Sequence, residues 1–373
     1  MRLRRRFTAV RRTGRLAGTF TPAGGLALAA TAHAAPPAID GATPGMMQGF
    51  PPPADQIVDK ANAFTPARLR WALCNTRLLV PTAGIRHAAA PMPLPERPAP
   101  GLDALPVTIG GETLTLDAYL RATRTDGFLV VQRGRIVYER YFDGFRPDQP
   151  HAWASMTKSV TGLLAAQMIE AGVLDAGAPL SRAVPELADT PFGGATLQQN
   201  LDMEVPTVYA PGIPPDLGLF GAVGLLPHHE GVPASIADFL LTVRRVPDVA
   251  PGSVWFYQSG SPEAVAWAMQ RATGQSWSAL VERWLWRDFA EADAYGVVDR
   301  NAMAMASGAC TRRCATPRAL PSACAPGSPV HAARCPPRRY ARRCSPRTTR
   351  RCSRRATWSP ARTAMRIATT GTR

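Results

Sequence analysis

Apolar residues recur with a regular period only in the middle of this chain, from about Asp55 to Gly308, and that period outlines the elements. Val160, Leu163, Leu164, Met168 and Ala171 fall at three- and four-residue intervals, which predicts a helix that stops at Gly172. Ala264 to Thr273 predicts a second such helix, ended by Gly274. Shorter helices are expected over Arg68 to Leu79, after Thr196 as N-cap, and over Ser235 to Val243 with Ser235 as cap. Phe128 to Gln132 and Ile136 to Tyr141 alternate aromatic and β-branched residues around Arg133-Gly134, the pattern of a β-hairpin. Tyr295 to Asp299 reads as a further strand, and Trp277, Trp284 and Trp286 as core and interface packing. Clustered prolines and glycines mark loops at 35–53, 91–100 and 205–233.

Composition divides the chain the same way. The formal charge is +16, but of 43 basic residues seven lie in residues 1–15 and sixteen in residues 309–373, where there is no acid. The body from 16 to 308 therefore keeps 20 basic residues against all 27 acidic ones and is net acidic. Excess positive charge does not lie on the patterned part, which argues against a nucleic-acid-binding fold. Cys74 is the one cysteine of the body and the other six lie between Cys310 and Cys352, so the body has no disulfide framework.

Residues 1–34 read as an export signal, with Arg4-Arg5-Arg6 and Arg11-Arg12 ahead of a short apolar run and an Ala32-His33-Ala34 cleavage site; a disordered arm is the alternative. That run is too short to span a bilayer, so no stable membrane insertion is expected. The signal implies an exported protein, periplasmic or secreted, with a cytoplasmic one as the alternative. A linker over 35–54 and a domain over 55–308 follow.

The chemistry concentrates at His151 to Leu187. Ser155 and Lys158 form S-x-x-K at the start of the first helix, which puts the two side chains on one face a turn apart. A serine hydroxyl is a weak nucleophile at neutral pH, and an adjacent amine at a helix N-terminus can take its proton during attack. Only Lys60 and Lys158 are lysines, so a chance pairing is uncommon. About a hundred residues on, Trp255-Phe256-Tyr257-Gln258-Ser259-Gly260 precedes the second helix. His228-His229 are adjacent rather than on one helical face; no metal and no cofactor is implied.

Ser155 to Ser159 followed by Gly162-Leu163-Leu164, then Val184 to Leu187, Leu201 to Met203 and Tyr257-x-Ser259 stand in an order that resembles the S-x-x-K serine hydrolases of the class C beta-lactamase type. Within them the chain is most similar to the aminohexanoate-dimer (nylon-oligomer) hydrolases, from about Met46 to Gly308. The resemblance implies an α+β, beta-lactamase/transpeptidase-like fold: an antiparallel sheet flanked by helices plus a helical subdomain, with the hairpin's sheet packed on the nucleophile helix. It implies acyl-enzyme hydrolysis of a small amide or ester. Ser155 attacks, Lys158 accepts or relays the proton, Tyr257 protonates the leaving group and later activates water, and Ser259 hydrogen-bonds Lys158 or substrate. Tyr209 is a candidate for a second tyrosine over the site. A beta-lactam hydrolase, a D-Ala-D-Ala carboxypeptidase and a noncatalytic protein of this fold are the rivals; oligomeric state is not readable.

Residues 309–373 follow a different grammar, rich in Arg, Cys and Pro and without sustained period. A nucleic-acid tail would interleave aromatics, and only Tyr340 and Trp358 are present; a zinc site would need close cysteine pairs, and Cys310/Cys314 is the one pair within four residues. A shifted reading frame fits better. Ala309 to Leu320 written in GC-rich codons and read one base earlier gives Leu-His-Ala-Ala-Leu-Arg-Asp-Pro-Ala-Arg-Phe, similar to what family members carry after a Ser-Gly-Gly turn. The family's third element, a Lys-Thr-Gly-like triplet that supplies one of two backbone donors to the oxyanion, is absent as written, and His331 has no glycine beside it. The expectation is a truncated, impaired hydrolase.

Overall fold

The computed structural model describes residues 45–210, 213, 215–228, 230–308 and 310–313. The export signal, most of the linker, His229, Cys314 and His331 lie outside the described residues.

Local signals become elements where their chemistry dictates. α1 (Leu69–Cys74) precedes strand β1 (Thr82–Ile85). The hairpin is β2 (Gly127–Gln132) and β3 (Arg135–Tyr141), and its turn holds Arg133 and Gly134 at φ of 50° and 72°. Two successive positive φ values give a turn whose twist matches the strands it joins. β4 (Pro150–Ala152) then leads towards helix α2 (Thr157–Glu170). α3 (Leu197–Leu201) opens on a capping box: Thr196 Oγ1 accepts from the Gln199 N–H at 3.1 Å, and Gln199 Oε1 accepts from the Thr196 N–H at 2.9 Å. Ser235 caps α4 (Ile236–Thr242) by accepting from the Asp238 N–H. α5 (Gly260–Thr273) ends on Gly274, which adopts the left-handed conformation that closes helices. α6 (Trp277–Val281), β5 (Ala294–Val297) and β6 (Cys310–Arg313) complete the parts that matter for the site.

These strands make a four-stranded antiparallel sheet in the order β1-β5-β6-β4. β6 is an inner strand, paired with β5 through Thr311 opposite Tyr295 and with β4 through Thr311 opposite Ala152. Regular structure thus runs past residue 308, where the change of composition had set the domain boundary. The reason is positional: a strand paired on both edges is held by its neighbours whatever its own composition.

Helices α2, α5 and α6 pack together in the main core, with Leu164, Met168, Val265 and Met269 buried between them. Trp277 and Trp286 are fully buried there and satisfy their indole N–H groups, Trp277 on Thr161 Oγ1 at 3.1 Å and Trp286 on the Ala292 carbonyl at 2.9 Å. Trp284 is half-buried at the rim of the same core. The three tryptophans are packing residues, as the sequence predicts.

The hairpin differs from expectation. Among the described residues β2 and β3 form a two-stranded ribbon rather than part of the sheet beside α2. The outer side of β3 is met by residues 95–99, with Arg97 and Ala99 N–H groups bonded to the Ile136 and Val137 carbonyls, and its apolar side packs in a separate cluster with Leu120 and Phe142. The ribbon is tied to the site by charge: Arg70 on α1 pairs with Asp126 and Asp143, and Asp126 also meets His151 Nε2 at 3.1 Å.

Replacing Trp277 removes a fully buried indole and leaves the Thr161 hydroxyl without its donor. Trp277→Ala is expected to destabilise the fold by about 3–5 kcal/mol, read as a lowered midpoint in urea unfolding; a change within error would show that the core collapses to fill the space.

Candidate active site

β4 hands the chain to a single 3-10 turn, Ala154–Met156, and only then does α2 begin. Ser155 therefore sits in the turn just ahead of the α-helix, where the sequence had suggested its first turn. Ala154 takes φ of 43°, a left-handed conformation that disfavours a residue with a Cβ by roughly 1–2 kcal/mol. β6 pins this turn from both sides. The Trp153 N–H donates to the Cys310 carbonyl at 2.9 Å, and the Cys310 N–H donates to Thr157 Oγ1 at 3.1 Å. Between those two anchors Ser155 is exposed.

One helical turn on, Lys158 is half-buried and its Nζ donates to Ser155 Oγ at 3.1 Å. The same ammonium donates to the Ser307 carbonyl at 2.8 Å and lies 5.3 Å from the centre of the Tyr257 ring. The cation thus has a hydroxyl, a carbonyl and an aromatic face around it. Tyr257 is 52% exposed and lies in an apolar rim with Trp255, 68% exposed, their rings 6.1 Å apart. Met156 and Val254 are exposed as well.

Tyr257 is positioned by the entry to α5. Ser259 is the N-cap residue, but its side chain accepts no N–H of the helix. That work falls to Gln258, which is buried and whose Oε1 accepts from the Ser261 N–H at 2.9 Å; Ser261 Oγ in turn donates to Asn200 Oδ1 at 3.0 Å. At Gly260 a Cβ would come within 2.4 Å of Phe192 Cζ, so the helix can start this close to the core only with glycine. Tyr209 stacks on Phe239 with ring centres 6.0 Å apart and directs its hydroxyl to Gln258 Oε1 at 3.4 Å. It braces the segment that carries Tyr257.

Sequence reasoning missed Glu263. It is fully buried in the first turn of α5, and its two oxygens accept from the Ala306 and Ser307 N–H groups, each at 2.9 Å. Burial pushes this carboxyl up from the usual 4.5 to about 7, against the opposing pull of those N–H groups and of Lys158. The signal was present as a lone acid before the apolar run Ala264-Val265-Ala266. Thr161 was missed too: its Oγ1 donates to the Ala306 carbonyl at 2.7 Å.

Ser155, Lys158 and Tyr257 are thus brought together; Tyr209 meets Gln258, and among the described residues Lys158 bonds Ser155 and Ser307 rather than Ser259. Among the described residues no group of three or more His, Cys, Asp and Glu side chains could hold a metal ion, and no helix is long and apolar enough to cross a membrane. Cys310 is buried and forms no disulfide among the described residues.

A beta-lactamase family model matches residues 116–321, more than half of the chain, and the chain belongs to the beta-lactamase family. Its fold is of the beta-lactamase/transpeptidase type, with helices around antiparallel sheets. The 6-aminohexanoate-dimer hydrolase of Paenarthrobacter ureafaciens is 31% identical over 251 residues, which are 65% of this chain and 62% of that protein. The chain therefore spans less than two thirds of that relative's length. The solved structure of a candidate 6-aminohexanoate-dimer hydrolase from Bacillus anthracis superposes with a TM-score of 0.65 at 30% identity, covering 70% of each chain.

Because Glu263 holds its proton more tightly in the fold than in the unfolded chain, its contribution to stability is full below pH 4.5 and is lost as pH rises through about 7. Urea unfolding between about pH 5 and about pH 8 should show that decline in the native chain and a flatter dependence in Glu263→Gln. Parallel curves for the two would mean that the carboxyl does not titrate in this window.

Proposed function

We propose that this protein is a serine hydrolase that cleaves small amides or esters through an acyl-enzyme on Ser155. The observation that carries the reading is the 3.1 Å contact between Lys158 Nζ and Ser155 Oγ, on a serine that is open to substrate. In this mechanism Ser155 Oγ attacks the carbonyl carbon and its proton passes to Lys158 in the neutral amine form, which thereby becomes the ammonium. The tetrahedral intermediate collapses, the bond to the leaving group breaks, and the leaving amine or alcohol takes a proton from the Tyr257 hydroxyl. Water then attacks the acyl-enzyme by the same route in reverse, giving the carboxylic acid and free Ser155.

The apolar rim of Met156, Val254, Trp255 and Tyr257 favours a substrate with an uncharged, extended apolar part next to the scissile bond. Similarity to a 6-aminohexanoate-dimer hydrolase points the same way, towards a linear amide rather than a beta-lactam ring. Turnover is expected to be slow. The first amide of β6, that of Cys310, is spent on Thr157 Oγ1, and the strand is paired on both edges, so these groups are committed elsewhere than to an oxyanion; lack of one oxyanion donor lowers the rate by about 10²–10³. Export to the periplasm or medium, and a reading-frame shift near residue 309, remain part of this proposal.

A fluorophosphonate probe is expected to label the native chain at Ser155 and to leave Ser155→Ala unlabelled. A nitrophenyl ester should be hydrolysed faster than a linear amide, and a cephalosporin not at all. Lys158→Ala should lower the ester rate by about 10²–10⁴. Absence of labelling in the folded native chain would overturn the hydrolase reading, and preferential cephalosporin cleavage would replace it with the beta-lactamase one.

A further inference from the structure

Lys158 must be held still to serve Ser155. A lysine side chain has much rotamer freedom on its flexible four-carbon stem, and a hydroxyl contact at the solvent edge does little to restrain it. The restraint comes from the other side, where Nζ donates to the Ser307 carbonyl at 2.8 Å. That carbonyl is useful only if the backbone presenting it is rigid. The peptide between Ala306 and Ser307 is gripped at both ends: its N–H donates to Glu263 Oε1 at 2.9 Å and its carbonyl accepts from Thr161 Oγ1 at 2.7 Å. The preceding amide, of Ala306, donates to the second oxygen of Glu263. Trp277 Nε1 donates to Thr161 Oγ1 in turn, which fixes that hydroxyl's remaining partner. Lys158, on α2, is the cation facing Glu263 across this turn.

We propose that Glu263 is a positioning residue for Lys158. Its carboxylate fixes the Ala306–Ser307 backbone so that the Ser307 carbonyl holds the lysine amine within reach of the Ser155 hydroxyl, and its charge balances the ammonium through one residue of backbone. A fully buried carboxylate spent on two backbone amides is a poor choice for packing alone, since burying an ion is unfavourable unless its charge is used. A glutamine in its place would have one acceptor oxygen and would turn an NH2 group towards one of the two amide donors. This rests on the reading of Ser155 and Lys158 as a hydrolytic pair, but its test does not depend on activity.

The chain has only two lysines, Lys60 and Lys158, so an amine-reactive acylating reagent reports on each separately by peptide mass spectrometry. In Glu263→Gln, with folding checked by circular dichroism, Lys158 should acylate faster relative to Lys60 by about threefold or more, because the amine loses both its restraint and the opposing charge. With a nitrophenyl ester, kcat should fall about tenfold or more while KM stays within about twofold, and the pH dependence of kcat should change shape. Thr161→Val releases the same peptide from its other end; it should raise the Lys158-to-Lys60 ratio in the same direction, and it serves if Glu263→Gln does not fold. An unchanged ratio in a folded variant overturns the proposal, as does unchanged kcat with an unchanged pH profile. If the native chain proves inactive towards every ester and amide, a shifted ratio still supports Glu263 as the residue that places Lys158, and the hydrolase reading alone fails.

Discussion

The structure depends on the backbone of Ala306, Ser307 and Cys310, which meets the start of α2. The Cys310 amide bonds Thr157, the Ser307 carbonyl receives Lys158, and the Ala306 carbonyl receives Thr161. The three partners lie one and three residues apart on a single helical face, so the turn at Ala306 to Gly308 and the start of β6 can satisfy them all. On its other side the same segment gives two amides to Glu263 and enters the sheet as β6. The sheet, the turn of Ser155 and α5 are thereby referred to one another through a handful of mostly buried hydrogen bonds, where each is stronger than at the surface.

What could be read from the sequence is what local chemistry decides. The N-cap at Thr196, the hairpin turn at Arg133-Gly134 and the approach of Lys158 to Ser155 are each set within a few residues and appear as predicted, although Ser155 lies ahead of the helix and Gln199 completes a capping box that was not foreseen. The tryptophans were legible because their size leaves few places other than the core. The meeting of Tyr257 with Lys158 was legible only through resemblance, since a hundred residues separate them. Glu263, Thr161 and the path of residues 306–310 were not legible. A buried acid becomes meaningful only once its partners are known, and the nearest of them is 43 residues away in sequence. The left-handed Ala154 was hidden for a different reason: alanine carries no signal for that conformation, and the surrounding contacts impose it.

The hairpin shows the limit of reasoning from resemblance. Its alternation specified two paired strands, and two paired strands formed. Which strand would lie beside β2 was never a property of the hairpin's own sequence. The sheet next to α2 is assembled instead from β1, β4, β5 and β6, drawn from both ends of the described chain.

The same long separations set the order in which this protein can be assembled during synthesis. The bond from Lys158 to Ser307 spans 149 residues and that from Cys310 to Thr157 spans 153. At roughly 5–20 residues per second, the ribosome completes α2 and its serine many seconds before the segment that anchors them exists. Until residue 310 clears the exit tunnel, α2 and the turn that carries Ser155 lack the contacts that pin them. Ser155 and Lys158 are thus made long before Ser307 and Cys310, the residues whose backbone holds their turn and helix in place.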